Sequence, residues 1–215
     1  MKLGVMQGRL SPPIDGAIQE FPIEQWGNEL YLAYKLGLVI EWIVTSNKYK
    51  SNPLFTRNLH GQPIHSVCVD ALITPNIATA MDILVEKCAK YTKKQGISHL
   101  TLPFLEYASL TDSRNVDAYF TYMPTIFKKY PNLIFSLETD LEIGVLEKFM
   151  DFPNVGFTYD TGNVMGYGFD HTQFVEHPKL TNVHLKAKNS DGRSVPPWEV
   201  NFQWKGLFDR LDNLS

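Results

Sequence analysis

Cysteine is nearly absent from this 215-residue sequence: Cys68 lies in an apolar strand-like stretch and Cys88 on a helical pattern. Two such thiols read as buried and idle in a reducing compartment, not as a disulfide framework. Long apolar runs are missing too, and no apolar leader with a small-residue cleavage site follows MKLGVMQGRLSPP. The expectation is a soluble cytoplasmic protein with no membrane contact. Basic runs are lacking and the net charge is only −3, which argues against a nucleic-acid surface. No G-x-G-x-x-G follows a strand, and neither G-x-x-x-x-G-K-[ST] nor G-x-S-x-G occurs. The usual marks of dinucleotide, nucleoside-triphosphate and serine-hydrolase chemistry are therefore wanting.

With 44% hydrophobic and 20% charged residues, the chain has ample material for a core. One domain over 1–215 is expected, since α/β barrels commonly exceed 200 residues as a single unit. Short β-rich runs over 2–9, 39–44, 64–72 and 99–104 alternate with helical patterns over 24–36, 77–95 and 116–130. Residues 46–63 are polar and broken by Pro53, Gly61 and Pro63, and read as a loop with at most a short helix.

The informative stretch runs from Pro131 to Lys188, through PNLIFSLETD, PNVGFTYDTG and PKLTNVHLKA. Strand alternation puts Glu138, Asp160 and His184 on matching faces at matching depths. Spacings of 22 and 24 residues separate them, room for a strand and a crossover helix each time, which makes the strands parallel neighbours. Such strands lie about 5 Å apart, so the three side chains can converge on one ion. Short crossover helices are expected over 143–150 and 172–176, a polar loop over 189–200 and a last helix over 202–211. Seven strands with helices between them predict a parallel α/β sheet, open or closed.

GVMQGRLSPP, IQEFP, Trp26 with LGLVIEWI, LETDL (137–141), YDTGN (159–163) and NVHLK (182–186) together resemble the xylose isomerase-like TIM-barrel superfamily, in its sugar phosphate isomerase/epimerase branch. The resemblance spans nearly the whole chain. It implies a TIM-type barrel, here apparently incomplete, with about seven strands and no evident eighth. It also implies that Glu138, Asp160 and His184 are three of four metal ligands, and that Lys186 lies beside the substrate. Relatives often read HIKDR where this chain has HLKAK, and carry a Gly-rich segment where it has PPWEV.

Each residue has a plainer alternative: Glu138 a helix cap, Asp160 turn chemistry, His184 a core histidine, Lys186 a solvated strand end. Gln7 and Arg9 bind substrate oxygens or clamp the loop after the first strand. Glu41, Asp70 and Glu106 lie near strand ends as replacement ligands, and His65 and His99 are taken as structural. Two carboxylates and an imidazole suit Mn²⁺, Mg²⁺ or Co²⁺, with Zn²⁺ also possible. The expected chemistry is proton abstraction next to a carbonyl of a small sugar or sugar phosphate, through an enediolate, with Glu138 as base and Lys186 holding a substrate oxygen. The rival is a degenerate, non-catalytic barrel that binds carbohydrate or a partner; two open sheet edges would favour a homodimer. A nuclease like endonuclease IV fits less well, because the array holds one histidine.

Overall fold

The computed structural model describes residues 2–14, 20–47 and 49–212. Seven strands form one sheet in chain order, every neighbouring pair parallel: β1 (Gly4–Met6), β2 (Val39–Ile43), β3 (Ile64–Cys68), β4 (His99–Phe104), β5 (Ile134–Thr139), β6 (Val155–Asp160) and β7 (Leu180–His184). Between β2 and β7 lie five inter-strand steps, about 24 Å across a flat sheet. Yet Glu41 on β2 reaches His184 on β7 at 2.6 Å and Asn182 at 3.3 Å. The sheet is therefore curled into a partial TIM-type barrel, with helices in the crossovers.

The outward side chains are apolar and pack under those helices. Trp42 meets Phe21 and Trp26, and Phe135 meets Phe127 of the helix Ser113–Lys129 at 4.8 Å. Inside the curl the residues are small and polar. Ser136 Oγ lies 2.7 Å from both Thr158 Oγ1 and Thr181 Oγ1, joining three strands.

Several element ends differ from the sequence reading. The first strand stops at Met6, because Gly8 takes φ +88° and turns the chain. The third stops at Cys68, where Asp70–Leu72 winds into a 3-10 turn. Within 46–63, short turns form at Tyr49–Ser51 and Pro53–Thr56; Asn52 Oδ1 caps the second by accepting from Leu54 N and also accepts from Trp42 Nε1. The polar loop holds a hairpin of β8 (Ala187–Lys188) and β9 (Ser194–Val195), and the last helix runs Trp204–Asp212. Both cysteines are buried and free. Among the described residues no helix is long and apolar enough to cross a membrane.

Candidate functional site

Three strand ends build the site. Glu138 is the next-to-last residue of β5, Asp160 ends β6, and His184 ends β7. The turn chemistry of D-T-G-N takes the form of a helix cap: Asp160 Oδ1 accepts from Asn163 N at 2.8 Å and starts the helix Thr161–Tyr167. That leaves Oδ2, which is buried, makes no well-aligned hydrogen bond and has the Lys186 ammonium 2.6 Å away. The stem of Lys186 passes over Gly162, where a Cβ would come within 2.7 Å of Lys186 Cγ.

Asp160 and His184 are register partners, whereas Leu137 pairs with Phe157, so Glu138 stands level with Thr158, one inward step below Asp160. Matching depth along the strands is thus corrected by the tilt and stagger of a curled sheet. The side chains meet all the same. His184 Nδ1 lies 3.2 Å from Glu138 Oε2 and 4.0 Å from Asp160 Oδ2. One ligand atom from each of the three falls within 4.8 Å of the others, a little more than two metal–ligand bonds of about 2.0–2.3 Å reach, so small side-chain shifts would close them on one ion. With two carboxylates and an imidazole, this donor set fits a divalent cation, which would take the place of the Lys186 ammonium at Asp160 Oδ2.

The charges are tightly balanced. Burial alone would push the Glu138 carboxyl up, but His184 and Lys186 outweigh it and hold the group at about 2. Burial and the Glu138 charge push Asp160 up to about 6, against the pull of Lys186. Burial would lower His184, yet Glu41 and Glu138 raise it well above the ordinary histidine value.

The sequence offers Glu41 only as a replacement ligand; the fold instead sets it against the other ring nitrogen, with Oε2 at 2.6 Å from His184 Nε2. A single carboxylate within the apolar run VIEWIV was the signal for it. Asn163, which donates to Glu138 Oε1 at 3.3 Å, was not singled out by the sequence reading. Asp70 and Glu106 stand apart from the ligand group, the latter in a separate cleft with Tyr107 and Arg114. The rings of His65 and His99 lie tilted against each other at 4.9 Å, with His65 at the cavity wall.

Glu138, Asp160, His184 and Lys186, with Glu41 and Arg9, line a cavity of about 620 Å³ that also runs along β1 and against Phe208 and Leu211 of the last helix, on the side where, among the described residues, β1 and β7 each lack a second neighbouring strand. Arg9 owes its place to Glu29, a fully buried carboxylate that accepts from Gly8 N at 2.9 Å, Leu10 N at 3.1 Å and Ser11 Oγ at 2.8 Å. Gln7 is buried outside this lining, and its carbonyl accepts from Ile43 N at 3.4 Å.

A curled all-parallel sheet with helices in its crossovers is a TIM-type barrel fold, and solved structures share it. The chain is similar to a xylose isomerase domain protein from Planctomyces limnophilus, with TM-score 0.65, 11% identity, and 86% of this chain and 82% of that one covered. It is also similar to the probable 3-DHS dehydratase AsbF involved in petrobactin synthesis from Bacillus anthracis, with TM-score 0.64, 14% identity, and 99% and 89% covered. A xylose isomerase domain protein from Alicyclobacillus acidocaldarius gives TM-score 0.63, 12% identity, and 99% and 85% covered. At these identities the likeness concerns the fold. The sequence matches no protein-family model, and no curated protein matches it.

Proposed function

We propose that this chain is a metal-dependent sugar or sugar-phosphate isomerase or epimerase that acts by proton abstraction next to a carbonyl. One observation carries the reading: Glu138, Asp160 and His184 converge at the carboxyl-terminal mouth of the curled sheet and face the cavity of about 620 Å³. In barrels of this kind that end is where active sites lie. Two of the structural neighbours are named for xylose isomerase and one for a probable 3-DHS dehydratase, which agrees with a small polar carbonyl substrate.

Glu138, Asp160 and His184 would hold the ion; their mostly oxygen donors favour Mn²⁺, Mg²⁺ or Co²⁺, with Zn²⁺ as second choice. When bound, a divalent cation supplies positive charge that stabilises an enediolate. Glu138 is the base by its place at the centre of the group; His184 and Lys186 keep it ionised but also weaken it as a proton acceptor, so substrate binding must draw Lys186 away, and Asn163 donates to its Oε1. Lys186 reaches over Gly162 to hold a hydroxyl, carboxylate or phosphate oxygen, and Arg9 serves the same substrate from another part of the cavity wall. Gln7 contributes by tying the chain after β1 to β2 through its side-chain amide oxygen. The setting is the cytoplasm, where the two free thiols stay reduced.

One feature favours a second reading, a degenerate barrel that binds carbohydrate or a partner without turnover. The cations His184 and Lys186 already stand against Glu41, Glu138 and Asp160, so the carboxylates are largely neutralised from within. Calorimetry with Mn²⁺ separates the two when the parent is compared with Glu138→Gln and His184→Ala. Stoichiometric binding lost in both variants, followed by solvent deuterium entering a ketose, aldose or inosose, is the result expected of the enzyme. A parent that binds no metal removes the catalytic reading and leaves the binding module.

A further inference from the structure

We infer that Glu41 is the positioning residue of this site: its carboxylate holds the Nε2–H of His184 and so turns Nδ1 toward Glu138 and Asp160. The inference deepens the metal-site reading above and rests on it.

The two nitrogens of an imidazole are not equivalent, and which one can ligate depends on what the other donates to. Here Nε2 lies 2.6 Å from Glu41 Oε2, and Nδ1 lies 3.2 Å from Glu138 Oε2 on the far side of the ring. Glu41 is itself held rigidly. Its Oε1 accepts from Ser66 Oγ at 3.0 Å, Thr101 Oγ1 at 2.8 Å and Asn182 Nδ2 at 3.3 Å, donors from β3, β4 and β7. Those contacts leave Oε2 for the imidazole. Asn182 Nδ2 is also 3.3 Å from His184 Nε2; when Nε2 carries a proton for Glu41 the two nitrogens are both donors and this contact is not a hydrogen bond, so the protonation of Nε2 is what the test must read.

A histidine on β7 needs such a support. Among the described strands β7 pairs only with β6, and all of its residues are half-buried. The χ2 torsion of histidine is broad, so the orientation of this ring rests on its two carboxylate contacts, Glu138 at Nδ1 and Glu41 at Nε2. Glu41 reaches it from across the curl, 143 residues earlier in the chain. Ligating histidines commonly donate their second N–H to a carboxylate, and loss of that partner typically weakens metal binding about 10–100-fold. Glu41 is not a ligand in this arrangement, because the imidazole stands between it and the Glu138–Asp160 pair.

The test uses ¹⁵N-labelled histidine in the parent, Glu41→Gln and Glu41→Leu. Long-range ¹H–¹⁵N spectra are recorded without metal, and Mn²⁺ titrations follow by calorimetry. The parent should show a low-field, slowly exchanging Nε2–H for His184, absent in Glu41→Leu. Mn²⁺ binding should weaken about 10–100-fold in Glu41→Leu. Glu41→Gln keeps an acceptor and should fall between the two, whereas a role through charge alone would make both variants equally weak. Equal affinity in all three proteins, equal loss in both variants, or an unprotonated His184 Nε2 in the parent overturns the inference. Should Glu41→Leu fail to fold, the comparison of Glu41→Gln with the parent decides it. Should the parent bind no Mn²⁺, the metal reading fails by itself, and the His184 Nε2–H signal still supports or overturns the hold by Glu41.

Discussion

On β4 and β5, Leu100, Leu102, Phe135 and Leu137 point outward and are fully buried, whereas Thr101, Ser136 and Glu138 point inward and are buried as well. Parallel strands covered on both faces usually read as continuous apolar runs. These alternate, because the two coverings differ: the outer is a layer of helix side chains, the inner a set of hydroxyls and carboxylates that satisfy one another. The outer face is held by close packing, where missing atoms cost contacts outright. The inner face is held by partnered polar groups, each modest in net worth but costly to orphan.

Trp42→Ala should show the largest effect. It opens a cavity between β2 and the Phe21–Trp26 cluster and removes the donor to Asn52, and we expect a loss of about 3–5 kcal/mol in urea unfolding. Metal binding by the folded fraction should be unchanged. Ser136→Ala, on the inner face, should cost about 1–2 kcal/mol, because it leaves Thr158 and Thr181 short of a shared partner without emptying much volume. Equal losses in the two variants would break the comparison between faces.

A smaller effect sharpens it. Burial and the neighbouring His65 push His99 from the ordinary 6.5 down to about 4. The unfolded chain therefore binds more protons at this residue between those values, so stability rises with pH across the window and is lost as pH falls from 6.5 toward 4. An NMR titration should find His99 neutral at pH 5, and His99→Gln should flatten this part of the stability profile. A His99 that titrates near 6.5 would show that the inner face is better solvated than its packing implies.

Much of the site could be read from local pattern. Period-two alternation ending in Glu138, Asp160 and His184 is a property of strands, and spacings that each hold one crossover helix make such ends neighbours. The same local logic placed seven strands and the main helices within a few residues of their ends. It failed where a single torsion or a distant partner decided the outcome. Gly8 at φ +88° shortened β1, and the carboxylate of Glu29, read only as part of a helix, proved to anchor the loop that carries Arg9. Gln7 shared the alternation of the first strand with Arg9, but lies outside the cavity lining, because its carbonyl reaches across to Ile43 N.

By itself the sequence determined the parallel α/β character and the ligand types at three strand ends, because both follow from periodicity along the chain. Only the tertiary structure decided which atoms of those residues face one another. Curling brings β2 against β7, sets Glu138 one step below Asp160, and places Glu41 behind the His184 ring. Contacts between residues 143 apart depend on the closure of the whole sheet, which no local pattern specifies.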